Sequence, residues 1–293
     1  SKHCMDNPRL LVTGANGQLG RELAALAPSH PQFDWHFTGR AALDLTDSHA
    51  IAALVDELQP SIIINAAAYT AVDKAEAEPE LAFAVNHHAV AALASAAARC
   101  NAGLIHISTD YVFDGSAQTP YRETDSTAPA SVYGQSKLAG EQAFQASNAR
   151  GVIVRTSWVY SAFGNNFVAT MLRLGAEREQ LGVVTDQSGS PTWAADLARA
   201  LIQIAASEGL LNKRAEVYHY SNQGVCSWHE FATHIMAARQ LPCRVDAITS
   251  KEYPTPAPRP AFSALATDKI CRDFNLSIPH WQPSLLQALQ AFV

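Results

Sequence analysis

Arg9-Leu-Leu-Val-Thr13, running directly into Gly14-Ala-Asn-Gly17-Gln-Leu-Gly20 and then Arg21-Glu-Leu-Ala-Ala-Leu26, decides how this 293-residue chain folds. The apolar run reads as a strand buried on both faces, as in a parallel sheet, and the residues after the glycines read as a helix. Between them, Gly14 allows a tight turn, Gly17 lets the backbone approach a pyrophosphate, and Gly20 lets the helix pack closely on the strand. The N–H groups of the first helical turn, at the positive end of the helix dipole, then face the phosphates. Asn16, Gln18 and Leu19 lie among the glycines and complete the expected cofactor loop. The spacing is Gly-x-x-Gly-x-x-Gly rather than Gly-x-Gly-x-x-Gly. The strand before it and the helix after it supply the context that the motif requires, the plain alternative being a glycine-rich turn with no ligand.

Outward from this unit, strands and helices alternate to about residue 155. Strands are expected at 33–37, 61–65, 103–109 and 151–155, and helices at 48–58, 80–99 and 132–147. Such alternation means an α/β fold, a Rossmann-like doubly wound parallel sheet with helices on both faces. Beyond about residue 160 the pattern loosens into helices near 166–178, 193–207 and 227–239 and short strands near 181–184 and 216–220, and proline becomes dense. The expected division is a nucleotide-binding domain over 7–160, with a return segment near 181–207, and a smaller C-terminal substrate-binding lobe over 161–293, partly discontinuous.

Composition narrows the function. Net charge is −6 with lysine and arginine scattered, so no basic stripe recommends nucleic acid. No apolar run is expected to reach the roughly 20 residues of a membrane span, and the first 30 residues lack the apolar core of a signal peptide. The five cysteines (4, 100, 226, 243 and 271) are odd in number and lack C-x-x-C spacing, which suggests reduced thiols and a cytoplasmic protein. Residues 1–6 carry no pattern and are expected to fray. The eleven histidines, His87-His88 included, show no ligand spacing, so no zinc site is expected.

Tyr133-Gly-Gln-Ser-Lys137 places a tyrosine and a lysine one helical turn apart. An ammonium beside a phenol favours the phenolate, easing proton movement through the tyrosine. Ser108 and Thr109 end the strand 103–109, where a doubly wound sheet presents ligand-contacting groups. Asp34 lies about 20 residues beyond the glycine loop, the distance of an NAD-type ribose ligand, but begins its strand and so sits at the wrong end. At the strand's other end, Arg40 can pair with a 2′-phosphate, which favours NADPH over NADH without excluding the latter. A solvated loop charge is the plain alternative for Arg40.

Glycine loop, Thr109 and Tyr133-x-x-x-Lys137 together resemble the extended short-chain dehydrogenase/reductase family. The resemblance implies that Thr109 hydrogen-bonds the reacting oxygen, that Tyr133 exchanges its proton, and that Lys137 holds the nicotinamide ribose and lowers the tyrosine pKa. It also implies that Asp44 and Leu45 line the adenine pocket and that Asn65, Ala66, Ala67 and Ala68 pass under the cofactor.

Longer blocks from residue 9 to about 285 are similar to the dTDP-4-dehydrorhamnose reductases within that family. They include Asn65 to Glu76, Ser108-Thr-Asp-Tyr-Val-Phe-Asp114, Arg155-Thr-Ser-Trp-Val-Tyr160, Gly189-Ser-Pro-Thr192 and Tyr253-Pro-Thr-Pro-Ala-Pro-Arg-Pro260. This finer resemblance implies NAD(P)H-dependent reduction of the C4 keto group of dTDP-4-dehydro-L-rhamnose. Thr109 and Asp110 would then contact the sugar, Trp158 would pack on it, and Arg259 would face the diphosphate. Related dehydratases carry Thr-Asp-Glu where this chain has Thr109-Asp110-Tyr111, so elimination lacks its base. Some relatives hold magnesium between glutamates at a dimer contact. Glu22 matches one position, but Trp193-Ala194-Ala195-Asp196 has alanine where the other is expected, so no metal is implied, and a homodimer is left open. Two further readings remain: a non-catalytic NADP-binding subunit of the kind that regulates methionine adenosyltransferase, and a reductase or epimerase acting on another nucleotide sugar.

Overall fold

The computed structural model describes residues 6–293. Cys4 and most of the stretch expected to fray lie outside the described residues. Strand β1 (Arg9–Thr13) turns through the glycine loop into helix α1 (Gln18–Leu26), followed by β2 (Asp34–Thr38), α2 (Ser48–Leu58) and β3 (Ile62–Asn65). A short helix α3 (Val72–Ala77) precedes α4 (Pro79–Phe83), which runs through a π turn (Ala84–His88) into α5 (Ala89–Arg99). Then come β4 (Gly103–Thr109), α6 (Val132–Ala146) and β5 (Arg150–Thr156). The remainder comprises β6 (Val159–Tyr160), α7 (Phe167–Glu177), β7 (Gln180–Val184), β8 (Ser188–Gly189), β9 (Thr192–Trp193) and α8 (Ala194–Ala205). It ends with β10 (Arg214–His219), β11 (Cys226–Ser227), α9 (Trp228–Ala238), β12 (Arg244–Ile248), α10 (Asp268–Phe274) and α11 (Trp281–Ala291).

Six of these strands form one parallel sheet in the order β10-β5-β4-β3-β1-β2. The chain steps from β1 outward to β2, then returns to β3 on the other side of β1. That reversal opens a crevice at the carboxyl ends of β1 and β3, where doubly wound sheets bind ligands. Strand β10 covers the short strand expected near 216–220 and pairs with β5, so the second half of the chain extends the same sheet.

Both faces of the sheet are buried. Leu10, Val12, Ile64, Ile105 and Val154 pack under α1 and α8 on one side. Leu11, Ile63, Leu104 and Ile153 pack under α2, α5 and α6 on the other. This alternation within continuous apolar strands follows from the period of two. The continuous helix Pro79–Arg99 spans 21 residues and is apolar enough to cross a bilayer by length and composition, contrary to the expectation that no segment would be. Its alanine content accounts for this, and Val90, Leu93, Ala94 and Ala97 turn inward onto the sheet.

A third core joins α7, β7, α9 and α11 through Val168, Leu181, Phe231 and Trp281. Strand β12 pairs with β7 in a separate two-stranded parallel ribbon. Side-chain caps fix the starts of the helices that bear on the site: Ser131 accepts from the Gly134 N–H at 3.0 Å at the head of α6, and Ser227 from Glu230 at 3.0 Å at the head of α9.

Candidate active site

The glycine loop carries two close approaches that only glycine permits. Gly14 has φ +69°, and a Cβ there would lie 2.6 Å from the Ala67 nitrogen. At Gly20 an added Cβ would collide with the Gly14 carbonyl. Loop, β1 and the Ala66–Ala68 segment are thereby drawn together, and Gly17 stands as N-cap of α1 in extended conformation with no side-chain cap. The first N–H groups of the helix remain available to phosphate oxygens. The Asn16 side chain packs against Gly39, and the Ala15 N–H donates to the Thr38 carbonyl at 3.1 Å, so the loop is fastened to the end of β2, where Arg40 stands exposed. These features suit a dinucleotide: a backbone cradle at the crevice and an exposed arginine just beyond the end of β2.

A cleft of about 360 Å³ opens beside this loop and is lined by Gln18, Leu19, Ala66, Ala67 and Ala68 on one side and by Thr109, Asp110, Tyr133, Lys137 and Trp158 on the other. Asp44 and Leu45 stand outside it. Asp44 is exposed, and its carboxylate accepts from Thr46 N–H and hydroxyl at 2.9 and 2.7 Å; Leu45 packs against the α2–α5 core. Asn65 is buried, its side chain engaged by the Thr13 hydroxyl at 2.6 Å and the His106 ring at 3.1 Å.

Tyr133 and Lys137 project from α6 into the cleft and are both buried. Lys137 Nζ donates to the Ile107 carbonyl at 2.7 Å. Burial pulls its pKa down to about 8, with the Glu141 carboxylate one turn further on offsetting part of the shift. Burial pushes Tyr133 up to about 12, opposed by the Thr109 hydroxyl and reinforced by the Asp110 charge. The downward shift expected for the phenol is therefore absent, because desolvation dominates and the ammonium is turned toward Ile107. A phenol held protonated in this way is suited to give a proton to an oxygen that gains charge.

Thr109 ends β4, where its hydroxyl accepts from the Tyr111 N–H at 3.2 Å and donates to Asp110 Oδ1 at 3.1 Å. Capping of its own backbone coexists with its place on the cleft wall. Asp110 is 3% exposed, and its Oδ2 has no hydrogen-bond partner among the described residues. Burial raises its pKa to about 7, with the Thr109 and Ser263 hydroxyls opposing. The Ser263 hydroxyl stands near the carboxylate, and Oδ2 keeps acceptor capacity on the cleft wall.

A second cavity, about 470 Å³, adjoins the first; Tyr111, Trp158 and Trp228 line both. Its far wall is apolar, with Phe167, Met171, Leu181 and Ile248, and its rim carries Arg259 and Tyr253. Trp158 adopts φ +49°, which is rare for a bulky side chain and typical of functional sites. Its ring stacks on Trp228 with centroids 3.5 Å apart and planes 12° from parallel. Tyr111 meets the Tyr133 ring edge-on at 5.4 Å. Arg259 forms a bidentate pair with Asp73 at 2.9 and 3.0 Å.

Sequence reasoning missed Trp228, Tyr111 as a wall residue, and Asp73. Trp228 follows an N-cap serine on an amphipathic helix and reads as core; only the fold brings it to Trp158. Asp73 stands in a quoted block, yet nothing in its spacing pairs it with Arg259. Among the described residues no group of three or more His, Cys, Asp and Glu side chains is placed to hold a metal. Glu22 is buried and accepts from the Ser161 hydroxyl at 3.0 Å.

A doubly wound sheet, a glycine-cradled crevice at its switch point and a Thr/Tyr/Lys set on the adjoining wall define an NAD(P)-dependent short-chain dehydrogenase/reductase of the extended kind. The family model for the RmlD substrate binding domain matches residues 8–293. The chain is 45% identical to dTDP-4-dehydrorhamnose reductase of Sinorhizobium fredii, over 97% of this chain and 98% of that one. It is likewise 45% identical to the enzyme of that name from Escherichia coli, over 96% of each. The crystal structure of dTDP-4-dehydrorhamnose reductase from Bacillus anthracis in complex with NADP superposes with a TM-score of 0.91 at 39% identity, covering 97% of this chain and 99% of that one. The chain belongs to the dTDP-4-dehydrorhamnose reductase family.

Proposed function

We propose that this protein reduces the C4 keto group of dTDP-4-dehydro-L-rhamnose to the alcohol of dTDP-L-rhamnose, using NADPH in preference to NADH. The observation that carries this reading is the junction of the two cavities. A cleft lined by Thr109, Asp110 and Tyr133 and a largely apolar cavity that carries Arg178 and Arg259 meet at Tyr111, Trp158 and Trp228. A bound nicotinamide supplies the hydride that forms the new C4–H bond. Tyr133 gives its phenolic proton to the C4 oxygen, and the Thr109 hydroxyl turns its one hydrogen from Asp110 Oδ1 to that oxygen and fixes it. Lys137, whose ammonium donates to the Ile107 carbonyl at 2.7 Å, holds the ribose hydroxyls. Asp110 Oδ2 takes a sugar hydroxyl, and Trp158, held by Trp228, packs on the sugar face.

The substrate-side features also separate reduction from elimination. Tyr111 occupies the position where a dehydratase glutamate would act, and burial raises its pKa above the usual phenol value, so it cannot serve as the base. For the domains we read 7–160, extended by β10 and α8, as the nucleotide-binding part, and most of the remainder as the sugar-nucleotide lobe. We place the enzyme in the cytoplasm, as its NADPH supply and its free cysteines 100, 226, 243 and 271 favour. The test is the decay of NADPH and NADH absorbance, each run separately with dTDP-4-dehydro-L-rhamnose. Tyr133→Phe should cut turnover by ~10²–10⁴-fold while NADP+ affinity stays within twofold of the parent. Substantial turnover in that variant removes the tyrosine from its role. Absence of turnover in the parent, with NADP+ bound, removes the substrate.

A further inference from the structure

Arg259 is gripped before any substrate arrives. Its Nη1 and Nη2 donate to the two carboxylate oxygens of Asp73 at 2.9 and 3.0 Å, and Nη1 also donates to the Ala257 carbonyl at 3.1 Å. Asp73 accepts in addition from the Ala257 N–H at 3.1 Å, so one acid holds both the guanidinium and the backbone of its loop. Both side chains line the second cavity. Asp73 lies in α3, the helix that follows the Ala66–Ala68 wall of the cofactor cleft.

A guanidinium presents five N–H donors in one rigid plane. The end-on fork to Asp73 and the bond to Ala257 engage three of them. The Nε–H and the outer N–H of Nη2 remain, parallel on a single edge, and no protein acceptor meets them among the described residues. That edge matches two oxygens of a phosphate, the bidentate geometry at which arginine excels.

We propose that Asp73 is a positioning residue for the substrate, orienting Arg259 so that its free edge takes one phosphate of the sugar nucleotide's diphosphate. The inference rests on the reading of the second cavity as the nucleotide-sugar site. Charge and positioning make opposite demands here. A carboxylate close to a diphosphate repels it, so by charge alone removing Asp73 tightens binding. By positioning, removing Asp73 frees a long side chain that must then be ordered at the moment of binding, and affinity falls.

The experiment is calorimetric titration of dTDP into the 293-residue chain with NADP+ present, for the parent, Arg259→Leu, Asp73→Ala, Asp73→Asn and the Arg259→Leu/Asp73→Ala double variant. Asp73→Ala should weaken dTDP binding about tenfold, the effect of losing one charge-assisted contact. Asp73→Asn, which keeps one acceptor, should fall between Asp73→Ala and the parent. The double variant should bind no more weakly than Arg259→Leu, because the acid acts through the arginine. NADP+ affinity of every variant should stay at the parent value, and kcat should hold while KM for the sugar nucleotide rises, a split that general loss of structure would not produce. Unchanged or tighter dTDP binding in Asp73→Ala and Asp73→Asn, beside a clear loss in Arg259→Leu, overturns the positioning role alone. Unchanged binding in Arg259→Leu overturns the reading of the cavity, and the inference with it.

Discussion

Tyr133 and Lys137 stand one turn apart on α6, and the same burial moves them in opposite senses, the phenol up to about 12 and the ammonium down to about 8. Desolvation disfavours the charged form of each group, which is why a neutral tyrosine and a readily deprotonated lysine result. The sequence alone suggests the reverse for the tyrosine, since spacing shows that two groups are neighbours on a helix but not how dry their surroundings are. The pH profile of reduction distinguishes the two groups. Lys137 is charged below about pH 8 and loses that charge above it, so if the charge holds the ribose, kcat/KM falls on the alkaline side with an apparent pKa of about 8. Lys137→Arg, which keeps its charge throughout, should move that limb upward by at least a unit. A limb that stays near 8 in the arginine variant belongs to another group. For stability the sign reverses: the folded lysine titrates below its ordinary value of 10.5, so the unfolded chain binds more protons between about 8 and 10.5. The group's contribution to stability is complete above 10.5 and is lost as pH falls through about 8.

Among the elements, those of the nucleotide-binding half were legible because their signals are local. Buried parallel strands read as continuous apolar runs, and β4 occupies Gly103–Thr109 and α2 Ser48–Leu58, as the pattern indicates. Elements of the second half were less legible for a physical reason. Strand β12 begins Arg244-Val-Asp-Ala and is only half buried against β7, so neither alternation nor an apolar run marks it. Helix α10 is a single short unit ended by Asn275 in the left-handed region, and α11 shows its apolar face only once Trp281 and Leu285 meet the third core. The partnership of Trp158 with Trp228 was unreadable, as stacking across such a sequence distance leaves no local trace. Where the local signal is strong, its geometry can be tested directly. Gly20→Ala puts a methyl group against the Gly14 carbonyl and the Ala15 backbone, and neither is a flexible side chain that could step aside. Helix α1 must then shift away from β1. Overpacking of this kind costs about 1–3 kcal/mol, and the shifted helix no longer aims its first N–H groups at the pyrophosphate. Chemical denaturation should show that loss, and NADPH affinity should drop about tenfold, the equivalent of one hydrogen bond to a charged group. Parent-like affinity in Gly20→Ala would show that the loop does not bind the pyrophosphate.

In the whole molecule, the two cavities open at a seam between two bodies of packed side chains. The sheet and its helices form one, and the core of α7, β7, α9 and α11 the other. Trp158 leaves the sheet just after β5 in a left-handed backbone conformation, and Trp228 rises from the head of α9 to stack on it. Phe167 and Phe231 continue the aromatic contact into the second body. The tryptophan pair is a wall common to both cavities, and on the proposed reading it stands between sugar and nicotinamide. Trp228→Ala deletes one ring of the pair and leaves Thr109, Tyr133 and Lys137 untouched. With its stacking partner gone, Trp158 gains other rotamers, and the sugar loses a fixed surface against which to present C4. Misplacement by about 1 Å can cost ~10²-fold in rate, so kcat/KM for the sugar nucleotide should fall ten- to a hundredfold. Cofactor affinity should change far less, since the dinucleotide loop is fastened to β2 and, through Gln18 and Asn166 at 3.1 Å, to the head of α7, while Trp228 supplies only one wall of the cleft. Stopped-flow measurement of a single turnover with NADPH already bound separates the two readouts. A slowed hydride-transfer step with an unchanged NADPH dissociation constant places the tryptophan pair in sugar alignment. A weakened cofactor with an unchanged transfer step would instead mean that the second body of the molecule holds the dinucleotide cleft in shape.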